Sequence, residues 1–258
     1  MAAYTTEIAS DKISSDNPIH QRLLKAYFLA QPYISGRLLE VGCGEGRGVE
    51  LLAPGATEYV AIDKIREIIN LLRKRHPGIR FIHSLVPPFD DINSGQFDTV
   101  VSFQVIEHIK NDRSFLEEIY RVLRPGGVAL LTTPNRRKTL TRNPWHVREY
   151  VATELYQLAA GIFDGVEIKG IAGNDKIMEY YKKNKENVDR ITRFDILNLQ
   201  YRLPAFLLRL PYDIMNRLNR NKLEKDTNML VASITHEDYL LTNDAESGMD
   251  LFAILRKS

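Results

Sequence analysis

Cysteine is almost missing from the chain: Cys43 is the only one in 258 residues. One thiol can close no internal disulfide and can supply no thiolate zinc cluster, and this scarcity fits a reducing compartment. Long hydrophobic runs are missing too. No stretch approaches the roughly 18 uncharged apolar residues of a membrane span, and the opening MAAYTTEIASDKISSDNP has no apolar core of signal-peptide length. A cytoplasmic protein is the expectation. Net charge nearly vanishes, with 35 basic against 33 acidic residues, so the whole chain presents no polyanion-binding field and any basic patch must be local. Internal repeats and low-complexity tracts are absent as well.

What the chain does have is apolar content of 44%, enough for a sizeable core. Pro18 to Gln31 carries apolar residues at helical spacing and predicts a helix ahead of the first strand. Short apolar runs at Arg37 to Val41, Glu58 to Ile62, Ile79 to His83, Phe97 to Phe103 and Val128 to Thr133 read as strands separated by helical segments. That alternation predicts a parallel sheet covered on both faces, with right-handed crossovers. Thr153 to Phe163 reads as a further helix, Gly165 to Ile171 as a strand and Met249 to Arg256 as the last strand. Residues 1–173 and 248–258 are expected to form one domain, and residues 174–247 a mainly helical insertion.

The most informative stretch is LLEVGCGEGRG, Leu38 to Gly48, with four glycines in seven residues directly after a strand. Strand, glycine loop and helix in that order form the phosphate- or nucleotide-binding arrangement. The dinucleotide fingerprint G-x-G-x-x-G fails in both frames, because Arg47 and Val49 stand where the third glycine belongs. Glu40, two residues before Gly42, also suits a cationic ligand better than a pyrophosphate. Both features argue against a nicotinamide dehydrogenase. Asp63 closes the second strand 21 residues after Gly42, where a carboxylate can accept ribose hydroxyls.

Five segments resemble, in order, the class I S-adenosylmethionine-dependent methyltransferases, in particular the bacterial group similar to those of quinone biosynthesis. They are LLEVGCGEG, AID, FDTVVSFQVIEHI, FLEEIYRVLRPGGVALLTTPN and NPWHVREYVATEL, and the resemblance spans about Ile19 to Ile171 plus the final strand. The resemblance implies a Rossmann-like, mostly parallel seven-stranded sheet flanked by helices, its last strand antiparallel, with the long insertion before that strand. It implies S-adenosyl-L-methionine as cofactor, held by Glu40, Gly42, Cys43, Gly44, Gly46, Asp63, Lys64, Ser84, Leu85, Phe103 and Gln104. Glu40 would face the ammonium group and Asp63 the ribose. The family's acid after the third strand is replaced by HSLVPPFDD, so Ser84 is the candidate adenine contact. Cys43 reads as a small packing residue in the turn. As the only cysteine, set in this loop, it argues against a cytosine-C5 methylase.

Acceptor chemistry belongs beyond the carboxyl ends of the fourth and fifth strands. Gln104, Glu107 and His108 are spaced to share one helical face, and His146 follows in the NPWH loop. His108 and His146 are the candidate catalytic bases. The pattern is similar to metal-binding Glu-x-x-Glu-His methyltransferases, but Gln104 replaces the first acid, and no metal is assigned. Arg136, Arg137, Lys138 and Arg142 form a basic run that reads either as a solvated loop or as a site for an acceptor phosphate or carboxylate. Residues 174–225 hold twelve Lys/Arg against seven Asp/Glu among apolar residues. They read as a lid, a dimer face or a peripheral membrane contact. The expected activity is methyl transfer to an O or C atom of a small molecule, lipid-, quinone- or sugar-linked. An RNA methyltransferase and a non-catalytic cofactor-binding protein are the alternatives. A nucleic-acid partner is not expected, because no separate RNA-binding module is present.

Overall fold

The computed structural model describes residues 13–193, 195 and 198–258. The polar start at residues 1–12, and Phe194, Ile196 and Leu197 of the expected insertion, lie outside the described residues. In chain order, α1 (Asn17–Ala30) precedes β1 (Arg37–Val41), followed by α2 (Val49–Leu52), β2 (Glu58–Asp63), α3 (Arg66–Arg75) and β3 (Arg80–His83). Next come β4 (Phe97–Phe103), α4 (Asp112–Val122), β5 (Leu123–Pro134), α5 (Ala152–Ala160) and β6 (Gly165–Gly173). The insertion holds α6 (Asp175–Thr192), α7 (Leu199–Arg202), α8 (Ala205–Asp226), α9 (Asn228–Ser233) and β7 (Tyr239–Thr242), and the last strand is β8 (Asp250–Arg256).

Among the described residues the sheet has eight strands, in the order β3-β2-β1-β4-β5-β8-β6-β7. β1 pairs in parallel with both β2 and β4, so the strand order reverses between β1 and β4. Ligands of open α/β sheets bind at such a reversal, beyond the strand ends. β8 runs antiparallel between β5 and β6. The eighth strand, one more than expected, is β7, whose four residues YLLT add antiparallel to β6. Its signal is short, and it follows a long helical segment that masks it.

Side-chain alternation divides the core between the two sheet faces. Leu38, Ala61 and Val101 point to the face covered by Tyr27 of α1 and Ile69 and Leu72 of α3. Leu39, Val60 and Val100 point to the face covered by Phe115 and Ile119 of α4 and Leu155 of α5. Ile177, Tyr180, Leu223 and Val231 of the insertion belong to the first of these clusters. A polar tie reinforces the joint. Asp16, 0% exposed, pairs with Arg217 at 2.9 Å and Arg220 at 3.1 Å on α8.

Candidate active site

At the end of β1 the amides of Gly42 and Cys43 donate to the Ile62 carbonyl at 2.8 and 3.1 Å, which turns the loop across the tip of β2. Gly44 has φ of 49°, and a Cβ built there meets nothing within 4 Å. Its missing side chain thus leaves open space on the ligand side of the loop. Gly48 has the opposite reason: a Cβ there would lie 2.0 Å from Tyr27 Cε1. Asp63 sits opposite, accepting the Gly44 amide at 2.8 Å on Oδ2 and the Ile65 amide at 2.9 Å on Oδ1. Both oxygens are oriented by backbone and each keeps lone pairs for further donors.

These groups border a cavity of about 290 Å³ at the sheet reversal. Of the expected cofactor residues, Gly42, Cys43, Gly44, Asp63, Lys64, Ser84, Leu85, Phe103 and Gln104 stand in its wall. Glu40 and Gly46 do not. Gly46 turns inward, where a Cβ would lie 2.6 Å from Leu72. Glu40 shares the parity of Leu38, so its side chain enters the core face behind the loop. There it is 1% exposed and accepts hydrogen bonds from the hydroxyls of Tyr27, at 2.8 Å, and Tyr59. Burial raises its carboxyl above the ordinary range, and the two tyrosine donors oppose that rise. The Cys43 thiol is pushed well up by burial and by the nearby Glu40 and Asp63, as suits a packing residue rather than a nucleophile. The Ser84 hydroxyl donates to the Leu85 carbonyl at 3.2 Å.

A second cavity, of about 270 Å³, adjoins the first and shares Leu23, Gln104 and His108 with it. Here the expected helical face is corrected. Gln104 takes φ of 57° directly after β4, and only Ile106–His108 forms a short 3-10 turn. The Gln104 amide donates to the Thr132 carbonyl at 2.9 Å, which holds the turn against β5. Gln104, Glu107, His108 and His146 nevertheless all border this cavity.

Glu107 is the member that residue spacing could not rank. It is 1% exposed and accepts from Thr133 Oγ1 at 3.1 Å, while its backbone carbonyl accepts from Val147 at 2.7 Å. Burial pushes its carboxyl up to about 7; the His146 ring, a hydrogen bond from its own backbone amide and the Thr133 hydroxyl oppose the rise, and Asp250 adds to it. A group of that pKa can exchange a proton near neutral pH. The two histidines are more constrained. His146 lies 2.6 Å from Glu149 through Nδ1 and 2.8 Å from Asn143 Nδ2 through Nε2. Asn143 Oδ1 accepts the Trp145 amide at 3.0 Å, so its Nδ2 must donate to His146 Nε2. The His146 lone pair is therefore already used. His108 Nδ1 is 2.9 Å from the Trp145 carbonyl, and the two imidazole rings meet edge to face at 5.0 Å. Glu107, His108 and His146 bring potential ligand atoms within 4.8 Å of one another. With both His146 nitrogens engaged, that set lacks a third lone pair for a cation.

The basic run largely turns to protein partners. Arg136 pairs with Glu154 at 2.8 Å, Arg137 with Glu246, and Arg142 Nη1 donates to the Gln200 and Leu203 carbonyls at 3.0 and 3.2 Å. Lys138 alone of the four borders the cavity. The roof comes from the insertion, where Asn219 Nδ2 donates to Asn184 Oδ1 at 2.8 Å and Trp145 Nε1 donates to Asp213 at 3.1 Å. Buried Asn219 Oδ1 has no hydrogen-bond partner among the described residues, which leaves an acceptor for a ligand donor.

A family model described as a methyltransferase domain matches residues 39–131. A Mycolicibacterium smegmatis protein named "probable S-adenosylmethionine-dependent methyltransferase" is 39% identical over 126 residues, 47% of this chain and 49% of its own length. A Mycobacterium leprae phthiotriol/phenolphthiotriol dimycocerosates methyltransferase is 32% identical over 184 residues, 69% of this chain and 60% of its own. The chain thus spans about half to three fifths of these relatives. Among solved structures, an S-adenosylmethionine-dependent methyltransferase of Thermotoga maritima aligns with TM-score 0.58 at 14% identity, covering 93% of this chain and 89% of that one. At that identity the likeness carries the fold.

Proposed function

From a chain that carries a class I S-adenosylmethionine-dependent methyltransferase domain, we propose that the protein methylates a hydroxyl of a small polar acceptor held beneath α8. The observation that carries this reading is the shared wall: the cofactor-type cavity and the Glu107 cavity meet at Leu23, Gln104 and His108. Methyl transfer is an in-line displacement, and adjoining cavities align its two partners with little further cost in entropy.

In this reading Asp63 holds the ribose hydroxyls, and the glycine loop lets the backbone approach the cofactor closely. Open space at Gly44 and the oriented oxygens of Asp63 fit that group. The bound cofactor supplies an activated methyl on a sulfonium. Glu107, ionised, accepts the acceptor's hydroxyl proton as the oxygen attacks. Thr133 stabilises the carboxylate form beforehand through its hydroxyl. His146, fixed by Asn143 and Glu149, orients the wall and is not the base. Asn219 Oδ1 and Lys138 meet polar groups of the acceptor, and the insertion acts as its lid. The Mycobacterium leprae relative is named as a methyltransferase of phthiotriol and phenolphthiotriol dimycocerosates, and the triol in that name supports a hydroxyl as the methylated group.

The test is transfer of labelled methyl from S-adenosylmethionine to small-molecule and lipid fractions, with native protein and Glu107→Gln. Label in an alkali-stable ether, lost with Glu107→Gln while cofactor binding persists, supports the reading. Label on RNA, or no label in any fraction despite intact cofactor binding, defeats it.

A further inference from the structure

The cavity accounts for only one side of α8. Tyr212, Asn216, Asn219 and Arg220 border it. On the other side Phe206, Leu210, Ile214 and Leu218 are 69%, 70%, 51% and 61% exposed. A spacing of four residues stacks these side chains in one stripe, and at about 100° per residue that stripe lies roughly half a turn from the cavity-facing set. Leu207 widens it and Tyr201 of α7 lengthens it; both are exposed. The usual arrangement is inverted, with the polar face inward and the apolar face in water. An exposed apolar patch of this continuity marks an interaction surface.

The charges beside it indicate the partner. Near the stripe the exposed charged residues are Arg202, Lys222 and Lys225, with Asp226 as the sole exposed acid of α7 and α8, while Arg209 stacks over the Trp145 ring at 4.4 Å. Basic residues therefore stand at both ends of the stripe. Pairing with a second copy through this helix would oppose like charges whether the helices ran parallel or antiparallel. An anionic lipid surface meets both features at once, taking the apolar side chains at the headgroup boundary and the basic ones on the headgroups.

We propose that α7 and the outer face of α8 dock on an anionic lipid surface. The docked helix carries the second cavity on its inner face, so the cavity's roof lies within one helix diameter of the lipid. This docking stands whether or not that cavity accepts a methyl acceptor.

The test uses the full chain in sedimentation with vesicles of phosphatidylcholine alone or with phosphatidylglycerol. Binding to the anionic vesicles is expected, falling with added salt. Combined Phe206→Ser, Leu210→Ser, Ile214→Ser and Leu218→Ser should weaken it at least about tenfold, since each buried methylene contributes. Lys222→Ala and Lys225→Ala should weaken it about fivefold each. A thermal shift with S-adenosylhomocysteine confirms that each variant is folded, because none of these residues borders the cofactor cavity. Failure to sediment with anionic vesicles at low salt would overturn the proposal. So would equal binding to both vesicle types, or a native dimer that the serine variant dissociates.

Discussion

Gly44 donates its backbone amide to Asp63 Oδ2 across 2.8 Å, so the glycine loop and the tip of β2 are one unit. Replacing Asp63 removes the proposed ribose acceptor and the brace that shapes the loop together. A cofactor at about a hundred times its dissociation constant adds roughly 2.7 kcal/mol of stability. Asp63→Ala should abolish most of that gain with S-adenosylmethionine and S-adenosylhomocysteine in thermal unfolding. An undiminished shift would remove Asp63 from the site.

Glu107 links activity and stability in opposite directions. Its carboxyl titrates at about 7 in the fold against 4.5 ordinarily. Below the ordinary value the buried carboxyl is neutral in both states and its stabilising effect is full. That effect is lost as pH rises through about 7, reaching at most about 3 kcal/mol at 1.36 kcal/mol per pKa unit. Glu107→Gln should therefore lose methyl transfer while unfolding at a higher temperature than native protein at about pH 8. Native turnover should climb between about pH 6 and 8 as the base ionises. A turnover rate indifferent to pH over that interval would argue against Glu107 as base.

The two glycine roles separate experimentally. Gly48→Ala drives a methyl onto Tyr27, which is fixed by its bond to Glu40 and by an edge contact with Phe103 at 4.9 Å. Overpacking of this kind costs about 1–3 kcal/mol. Gly44→Ala meets no atom and should cost only about 1 kcal/mol for its left-handed backbone, yet weaken the cofactor-induced shift. Denaturant midpoints and ligand shifts of the two variants give the comparison. Equal stability losses would contradict it.

Tyr59→Phe leaves the buried Glu40 with one hydroxyl donor in place of two. The expected loss is about 1–3 kcal/mol, because a buried acceptor is left under-satisfied. It should grow with pH, since the missing donor stabilises the ionised carboxyl. Urea unfolding at acid and neutral pH measures it, and a loss independent of pH would show that Glu40 stays protonated.

The cofactor half was legible because its signals are local. A glycine at positive φ, an acid closing a strand and a helix after the loop are each written within a few residues, as Gly44 and Asp63 illustrate. Glu40 is expected at the cofactor's ammonium group, while its alternation with Leu39 and Val41 turns it to the face of Leu38, where Tyr27 and Tyr59 donate to it. The acceptor half depends on distant partners. Glu107 owes its raised pKa to burial beside Asp250 and its support to Thr133. Arg142 is occupied by carbonyls 58 and 61 residues away. No local pattern announces such partners. The same holds for Gln104, whose left-handed turn breaks the expected helical face.

The position of β8 sets an order on the chain's assembly. It is the last strand in sequence, yet it lies inside the sheet, between β5 and β6. β1 to β5 can zip together from neighbouring segments as they leave the ribosome. β6 and β7 have no place on the sheet until residues 250–256 have been synthesised, and closing that gap needs contacts of long sequence separation, which form slowly. During translation the nucleotide-type half can therefore mature first, while the half that would grip an acceptor waits for its last seven-residue strand.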